Sequence, residues 1–442
     1  MFVDLRSEDS AEMKKLEQGF QQAVDAAVQE ENRRWNTDTI SAEVEMIGDT
    51  PSGTQSIHSV MVQTALGATY SLGQTPDLWD VAGGTDANVP LSLGIPAIHM
   101  SAGGFAMCGI AGFYCAKKHY LKEPARYESI LSSMASVQRH RGPDDEGIWL
   151  WEHAGFSHAR LSIIDLAGGR QPMTKTDAGQ TFAIVYNGEL YNTGELRKDL
   201  RDCGHTFLTS SDTEVILAGY MEFGPEFVKR LNGIFAFAIL DPVKDSLFLF
   251  RDRSGVKPLF YTVRDGEVVF SSELKGIFAF PGIEPELDRR GLNEVFSVGP
   301  ARTSGCGVFK GIEEVLPGHF LCCSQEGISD RFYWRLESRP HTDSYERTVE
   351  QTSFLVTDAI RRQMVSDVPI CTFLSGGVDS SLVSAVCAAE LKKRGERLNT
   401  FSFDFVDNDR YFKANSFQPS QDRPFVDKMV EFLGSRHHYL EC

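Results

Sequence analysis

The sequence predicts a multidomain chain of α+β and α/β domains with an αββα sandwich in its middle. Apolar runs such as IFAFAIL (234–240) and SLFLF (246–250) are typical of buried strands, which fits such a sandwich. An apolar strand at 368–374 leads into a glycine-rich turn and a helix, which predicts the start of a parallel α/β domain. A smaller α/β segment comes before the sandwich.

The composition indicates a globular protein of several domains. The chain has 442 residues, of which 42% are hydrophobic and 24% are charged, and this length allows about two to four hydrophobic cores. The net charge of −17 and the lack of a Lys/Arg-rich block argue against a nucleic-acid partner.

The lack of a recognisable targeting signal and the spacing of the cysteines favour a cytoplasmic protein. No run approaches the length of a membrane-spanning helix, and the first residues, MFVDLRSEDS, lack the layout of a signal peptide. The nine cysteines form no CxxC pair, which is typical of reduced thiols. We therefore expect no membrane partner and no disulfide framework.

Residues 1–106 form the first predicted segment, with a long amphipathic helix from about residue 10, a strand at 40–47 and a helix at 56–72. The stretch GGTDANVPLSLGIPAIHMSAGG (83–104) resembles the last part of the M20 metallopeptidase family, and the region before it resembles that family's lid or dimerisation domain. A dinuclear zinc site needs several convergent ligands. His58 and His99 are isolated, so we assign them structural roles and expect neither zinc nor peptidase activity.

The next segment, 107–290, begins with MCGIAGFY and continues with seven further motifs in a fixed order. They are RHRGPDDEG (139–147), HARLSIID (158–165), YNGELYN (186–192), SSDTEV (210–215), LNGIFAFAIL (231–240), RDRSGVKPLFY (251–261) and SSELK (271–275).

These ordered motifs resemble the class II glutamine amidotransferases, which belong to the N-terminal-nucleophile hydrolases. The resemblance implies hydrolysis of glutamine to glutamate and ammonia, with Cys108 as the nucleophile. A thiol of ordinary pKa needs a nearby base. Enzymes of this class use the free α-amine of the same cysteine.

The same resemblance assigns the remaining residues of a glutamine site. Asn187 and the Gly188 N–H would form the oxyanion hole, because both can donate to a developing negative charge. Arg160 would hold the α-carboxylate of the substrate with a bidentate guanidinium. Glu189 and Asp212 would engage its α-amino group.

The turn SGGVDS (375–380) carries the second predicted chemistry. The helix after it is expected to bury Leu382, Val383, Val386 and Leu391, and it ends with basic residues before Gly395, as helices commonly do. A strand, a glycine-rich turn and a helix N-terminus present N–H groups to an anion.

SGGVDS resembles the PP-loop of the Rossmann-like ATP-pyrophosphatases, which implies binding of ATP with its Mg²⁺ and no metal ligands from the protein. The residues assigned to ATP are Leu374, Ser375, Gly376, Gly377, Asp379, Ser380 and, on the next strand, Phe403.

A glutaminase followed by a PP-loop resembles the family of glutamine-hydrolysing asparagine synthetases, over residues 107–442. An interdomain segment, 291–349, would then separate the glutaminase from a synthetase domain, 350–442. The implied reaction turns aspartate into β-aspartyl-AMP with ATP, and ammonia from glutamine displaces AMP to give asparagine. Two alternative functions stay open: an amidotransferase with another acceptor, such as a cell-wall precursor carboxylate, and an inactive binding or dimerisation protein. A homodimer stays open as the assembly.

The position of Cys108 inside the chain raises a further question. Residues 1–106 are either a propeptide that is removed to expose Cys108, or a peptidase fragment fused to a synthetase fragment. The fusion explains why the M20-like motif changes near residue 104. We expect the synthetase domain to end after two strands of its sheet, to fold poorly alone and to lack part of the adenylation site.

Overall fold

The computed structural model describes residues 10–35, 38–39, 41, 108–298, 302–404, 408–412 and 420–441. Within this part, helix α1 (Ser10–Trp35) confirms the long helix predicted near the start of the chain. The predicted strand at 40–47, the predicted helix at 56–72, His58 and His99 lie outside the described residues. Helix α1 belongs to one compact unit, and the two large sheets of the chain belong to another.

Two six-stranded sheets form the centre of this second unit. The first has the strand order β10-β8-β9-β1-β3-β2, and the second has the order β12-β11-β7-β6-β5-β4, with antiparallel pairing of neighbours. Their strands are β1 (Gly109–Tyr114), β2 (Asp145–Leu150), β3 (Ala154–Arg160), β4 (Met173–Asp177), β5 (Gln180–Leu190), β6 (Gly233–Asp241), β7 (Ser246–Arg251), β8 (Phe260–Arg264), β9 (Glu267–Ser271), β10 (Ile312–Glu314), β11 (His319–Ser324) and β12 (Gly327–Phe332).

Helices cover the outer faces of both sheets. Their bounds are α2 (Pro124–Ser136), α3 (Thr193–Asp202), α4 (Asp212–Phe223), α5 (Leu274–Phe278) and α6 (Arg289–Asn293), with 3₁₀ turns at Tyr120–Lys122 and Gly224–Arg230 and a π turn at Glu294–Val298.

Three buried clusters show that the layers are stacked as helix, sheet, sheet and helix. Ile110 of β1 lies in the cluster between the sheets, together with Val185 of β5. Phe113, three residues further along β1, packs instead with Leu131 of α2 on the outer face of the first sheet. Ile216 of α4 lies in a third cluster on the outer face of the second sheet. The structure therefore confirms the predicted αββα sandwich.

Strands β10, β11 and β12 come from the segment predicted to lie between domains (291–349), yet they complete both sheets of the sandwich. Their pairing partners are β8 in the first sheet and β7 in the second. The layered structure therefore continues to Phe332, because long-range pairing recruits strands that lie beyond the last glutaminase motif, SSELK.

A third, smaller sheet has the order β13-β14-β15, and β13 and β14 are parallel. Met364, Cys387, Leu391 and Leu398 form its buried core. The elements of this region are α7 (Tyr345–Arg362), β13 (Cys371–Phe373), α8 (Val378–Lys393), β14 (Asn399–Asp404), α9 (Asn408–Tyr411), α10 (Arg423–Leu433) and β15 (Arg436–Glu441).

The structure corrects two expectations for this region. The sequence RHHYLE forms a third strand, β15, where only two were expected, because its paired histidines hide the apolar alternation of a strand. Leu382 and Val383 of α8 are also exposed, at 43% and 39%. The buried face of α8 is formed by Ser384, Cys387 and Leu391, so the burial of Leu391 is confirmed, while Val386 is half-buried.

Replacing Leu131 with alanine tests the packing of α2 on the first sheet. Leu131 is fully buried, so Leu131→Ala should lower the free energy of unfolding by about 2–5 kcal/mol. Urea denaturation followed by tryptophan fluorescence measures this change. Leu208→Ala is the control, since Leu208 is 95% exposed; equal unfolding midpoints for the two variants would contradict the assigned core.

Candidate functional site

A pocket lies where β1 begins, β3 and β5 approach their ends and α4 starts. It is lined by all six residues that the sequence assigned to glutamine, namely Cys108, Arg160, Asn187, Gly188, Glu189 and Asp212. These residues are spread over more than a hundred positions of the chain, and the folding of the two sheets brings them together.

Cys108 directly precedes β1 and is held by the backbone of Leu161 and by the side chain of Arg141. Its Sγ accepts a hydrogen bond from the Leu161 N–H at 3.4 Å and donates to the Leu161 carbonyl at 3.6 Å. Its own carbonyl accepts from Arg141 Nε at 3.3 Å, and Arg141 pairs with Glu273 at 2.9 Å. Sequence reasoning missed Arg141 and Glu273, although both lie in the glutaminase motifs RHRGPDDEG and SSELK.

The thiol of Cys108 is not activated by its surroundings alone. Burial raises the pKa of Cys108 above its ordinary value, and the Leu161 N–H and the Arg160 charge offset only part of this rise. The thiol is therefore protonated at neutral pH. A nucleophile at this position needs a base.

Asn187 and Gly188 lie side by side near the end of β5. Asn187 is fully buried, and neither atom of its amide group has a hydrogen-bond partner among the described residues. A Cβ atom on Gly188 would lie 2.3 Å from the carbonyl oxygen of Ile234 on β6, so the close pairing of β5 and β6 requires glycine. Buried amide groups without partners are unusual, and they indicate a place for a polar ligand.

Arg160 ends β3 and is almost completely buried. Its guanidinium donates to the carbonyl oxygens of Asp165 at 2.7 Å and Leu166 at 3.1 Å. Two loop carbonyls thus fix the direction of the side chain. A guanidinium has five N–H donors, so this arrangement leaves capacity for a carboxylate.

Asp212 is the first residue of α4, and Ser211 caps this helix. The Asp212 carboxylate accepts hydrogen bonds from Tyr186 Oη at 2.9 Å, the Leu190 N–H at 3.1 Å and the Thr213 N–H at 2.9 Å. Burial nevertheless raises the pKa of Asp212 above its ordinary value. The carboxylate is therefore well oriented but poorly solvated.

Glu189 lies next to Gly188 on β5 and interacts with a lysine that sequence reasoning did not single out. Burial raises the pKa of Glu189, and the charge of Lys257 partly opposes this rise. Lys257 itself is 2% exposed, and burial lowers its pKa to about 8. The signal in the sequence was the position of this lysine beside Leu259 and Phe260 in RDRSGVKPLFY, an apolar setting for a charged side chain.

The second predicted site lies on the turn between β13 and α8. Leu374 is buried, and its N–H donates to the Phe401 carbonyl at 2.8 Å, while Ser402 Oγ donates to the Leu374 carbonyl. Ser375 and Ser380 close the turn, because the Ser375 N–H donates to Ser380 Oγ at 3.2 Å.

Two glycines shape the same turn. Gly376 has φ 78°, and a Cβ atom there would lie 2.6 Å from Cβ of Phe425 on α10. Gly377 caps α8 without a side-chain hydrogen bond, and Asp379 lies exposed in the first turn of this helix. The structure thus brings six of the seven predicted ATP residues to one turn. Phe403 lies apart from them in the chain, on β14, and is 50% exposed.

The described part of the chain offers neither a cluster of metal ligands nor a membrane-spanning helix. It contains no cluster of three or more His, Cys, Asp or Glu residues that could hold a metal ion. Within the same ranges, every helix is too short or too polar to cross a membrane.

Comparison with known proteins identifies the class of the sandwich. Residues 107–334 match the family described as glutamine amidotransferase domain. The chain therefore belongs to the glutamine amidotransferase family. Residues 352–442 match a second family, described as asparagine synthase.

Two similar proteins are asparagine synthetases by name. Glutamine-hydrolyzing asparagine synthetase 3 of Bacillus subtilis (strain 168) is 48% identical, over 75% of this chain and 54% of that protein. Glutamine-hydrolyzing asparagine synthetase 1 of the same organism is 36% identical, over 68% of this chain and 46% of that protein. The chain spans about half the length of these curated relatives. A solved structure of glutamine phosphoribosylpyrophosphate amidotransferase from B. subtilis covers 76% of this chain and 81% of its own, at 16% identity and a TM-score of 0.38.

Replacing Lys257 with methionine tests the buried amine. Its pKa in the folded protein, about 8, lies below the ordinary value of 10.5, so the unfolded chain binds more protons between these values. The free energy of unfolding of the unmodified protein should therefore rise with pH above 8, by about 1 kcal/mol per pH unit relative to Lys257→Met.

Urea titrations at several pH values above neutrality measure this difference. Lys310→Met is the matched control, because Lys310 forms an exposed ion pair with Glu286. Parallel pH profiles for the unmodified protein and Lys257→Met would contradict the lowered pKa.

Proposed function

We propose that this chain carries the glutaminase and the beginning of the synthetase of a glutamine-dependent asparagine synthetase. The observation that carries the proposal is the pocket that joins Cys108 to the buried amide of Asn187, which has no hydrogen-bond partner in the part of the chain that the structure describes. The matches to the glutamine amidotransferase and asparagine synthase families support both halves of it.

In the proposed glutaminase step, Cys108 Sγ attacks the side-chain carbonyl of glutamine. The base is the α-amine of Cys108, which exists only when the bond between residues 107 and 108 is open. Asn187 Nδ2 and the Gly188 N–H stabilise the oxyanion, and the Asn187 amide is already buried there without a partner among the described residues. The protonated amine then assists the departure of ammonia.

Substrate recognition in this proposal depends on charged side chains of the pocket whose burial is only partly compensated by neighbouring protein groups. Arg160 binds the α-carboxylate through the donors that its loop carbonyls leave available. Glu189 and Asp212 bind the α-ammonium group. Burial raises the pKa of both carboxyl groups, which shows that their ionised forms are poorly solvated. An ammonium group beside them would stabilise the ionised forms, and this charge pairing would contribute to substrate binding.

The second half of the proposal concerns ATP. The turn at 375–380 fits a phosphate group, because Gly376 has a positive φ and Gly377 caps α8 without a side chain that competes for the site. The hydroxyl groups of Ser375 and Ser380 would donate to the phosphates, Asp379 would belong to the same ATP site, and Leu374 and Phe403 would lie nearer the base. Bound ATP with Mg²⁺ supplies the activation of the acceptor carboxylate, which we take to be that of aspartate.

Several other assignments belong to the same proposal. We propose that the glutaminase domain runs from residue 107 to about 334, in agreement with the family match and with the strands that complete the sheets. The M20-like nature of residues 1–106, the origin of this segment as propeptide or fusion, cytoplasmic residence and a homodimer stay predictions. So do the alternative acceptor carboxylate and the inactive binding role.

Opening the chain before Cys108 tests the proposed base. A protease site placed directly before Cys108 should allow cleavage that exposes its α-amine, and ammonia release from glutamine should then rise by at least about 100-fold. A coupled glutamate dehydrogenase assay before and after cleavage measures the change, and Cys108→Ala, cleaved in the same way, is the control. Rapid hydrolysis by the uncut chain would refute this mechanism.

Replacing Asn187 with alanine tests the oxyanion hole. In the cleaved protein, Asn187→Ala should lower kcat about 100- to 1000-fold, with a smaller effect on KM. Because this amide has no partner to lose among the described residues, the free energy of unfolding should stay within about 1 kcal/mol. A kcat that is unchanged, or one that falls only together with the stability, would assign Asn187 a structural role.

A further inference from the structure

One loop forms a wall of the pocket and also fixes the orientation of Arg160. We call residues 161–169 the pocket loop. Leu161, Ile163, Ile164 and Gly169 of this loop line the pocket. The carbonyls of Asp165 and Leu166 hold the Arg160 guanidinium. The position of the loop therefore sets the position of the guanidinium.

The apex of the pocket loop is Asp165, which has an unusual positive φ of 50°. Its side chain ties the loop to the sandwich, since the Asp165 carboxylate accepts from the Gly168 N–H and from the Ser210 N–H, both at 2.8 Å. Ser210 lies two residues before α4. The side chain thus fixes one side of the apex.

The backbone of the apex is held from the opposite direction by Asp367. The Asp165 N–H donates to Asp367 Oδ2 at 2.8 Å, and the Asp367 N–H donates to the Ile163 carbonyl at 3.1 Å. Asp367 thus accepts one hydrogen bond from the loop and donates another to it. The bond from Asp165 has a charged carboxylate as its acceptor, which makes it stronger than a bond between neutral groups. The loop is therefore clamped between the sandwich and residue 367.

Asp367 lies in the short segment between α7 and β13, the strand that leads into the predicted ATP turn. Met364 and Ile370, on either side of it, pack into the core of the third sheet with Cys387 and Leu391. Ser366 Oγ bonds both backbone groups of Val368 and stiffens the segment further. Asp367 is thus anchored to the part of the molecule that leads into Ser375.

We propose that Asp367 is a positioning residue for glutamine: it fixes the pocket loop, and through the carbonyls of Asp165 and Leu166 it fixes Arg160. The proposal rests on the proposed glutaminase function. The residue acts from outside the sandwich and does not line the pocket. Removing its carboxylate should therefore weaken the binding of the substrate carboxylate without changing the chemistry at Cys108.

The test compares three variants of the full chain. Asp367→Ala removes the acceptor for the Asp165 N–H. Asp367→Asn keeps an oxygen acceptor of similar size. Glu195→Ala is the matched control, because it removes the nearby ion pair between Glu195 of the sandwich and Arg362 at the end of α7 (3.1 Å).

The first measurement is hydrogen exchange of residues 161–169 in the uncut chain. Asp367→Ala should lower the protection of these amides about tenfold, while Asp367→Asn and Glu195→Ala should keep it. The second is steady-state hydrolysis of glutamine after cleavage before Cys108. Asp367→Ala should raise KM about tenfold with kcat within about twofold, and Asp367→Asn should restore KM.

Each outcome separates this inference from the proposed function. Unchanged exchange in Asp367→Ala overturns the clamp, and changed exchange with an unchanged KM overturns its link to Arg160. An equal loss of kcat in Asp367→Ala assigns a general structural role and also overturns the inference. If the unmodified cleaved chain does not hydrolyse glutamine, the proposed function fails, while the exchange measurement still decides whether Asp367 holds the loop.

Discussion

The pairing of β1 on both sides is the constraint on which the rest of the site depends. All six residues of β1 are buried, and the strand bonds to β3 on one side and β9 on the other. Ser272 adds two bonds to the backbone of Ile110, close to the start of the strand. A shift of one residue would exchange Ile110 and Phe113 between opposite faces, and both faces are packed. Cys108 is attached directly to this strand, so its position is set by the register of a whole sheet.

The pocket takes its electrostatic character from its place at the end of the layer between two sheets. Burial acts on four titratable groups in the same direction, toward the uncharged form: it raises the pKa of Cys108, Glu189 and Asp212 and lowers that of Lys257. The polar amide of Asn187 is buried there as well. A ligand with both charges, such as an amino acid, would offer a charged partner to the carboxyl groups of Glu189 and Asp212 and a hydrogen-bond partner to the Asn187 amide. The pocket is thus suited to a zwitterionic ligand more than to a ligand without charges.

Sequence reasoning could predict the sandwich and the residues of the pocket because the relevant motifs are local. Each short run, such as YNGELYN, fixes a strand end and its side chains together, and their order along the chain matches a known fold. Contacts between distant segments carry no such signal. The pairing of Arg141 with Glu273, the burial of Lys257 and the bond from Asp165 to Asp367 appear only when the chain is folded. The strand β15 was missed for a different reason, since adjacent histidines do not read as an apolar alternation.

The bond between Asp165 and Asp367 also bears on where the amidotransferase domain can be separated from the region that matches the asparagine synthase family. A fragment that ends at residue 334 would contain every strand of the two large sheets. It would nevertheless expose the Asp165 N–H and the Ile163 carbonyl to water, and the apex of the loop would keep only its bonds to the sandwich, through the Asp165 carboxylate and Arg160. Structural completeness of the sandwich and integrity of its substrate pocket therefore require different lengths of polypeptide. An excised domain with an intact fold would be an imperfect substitute for the pocket of the longer chain.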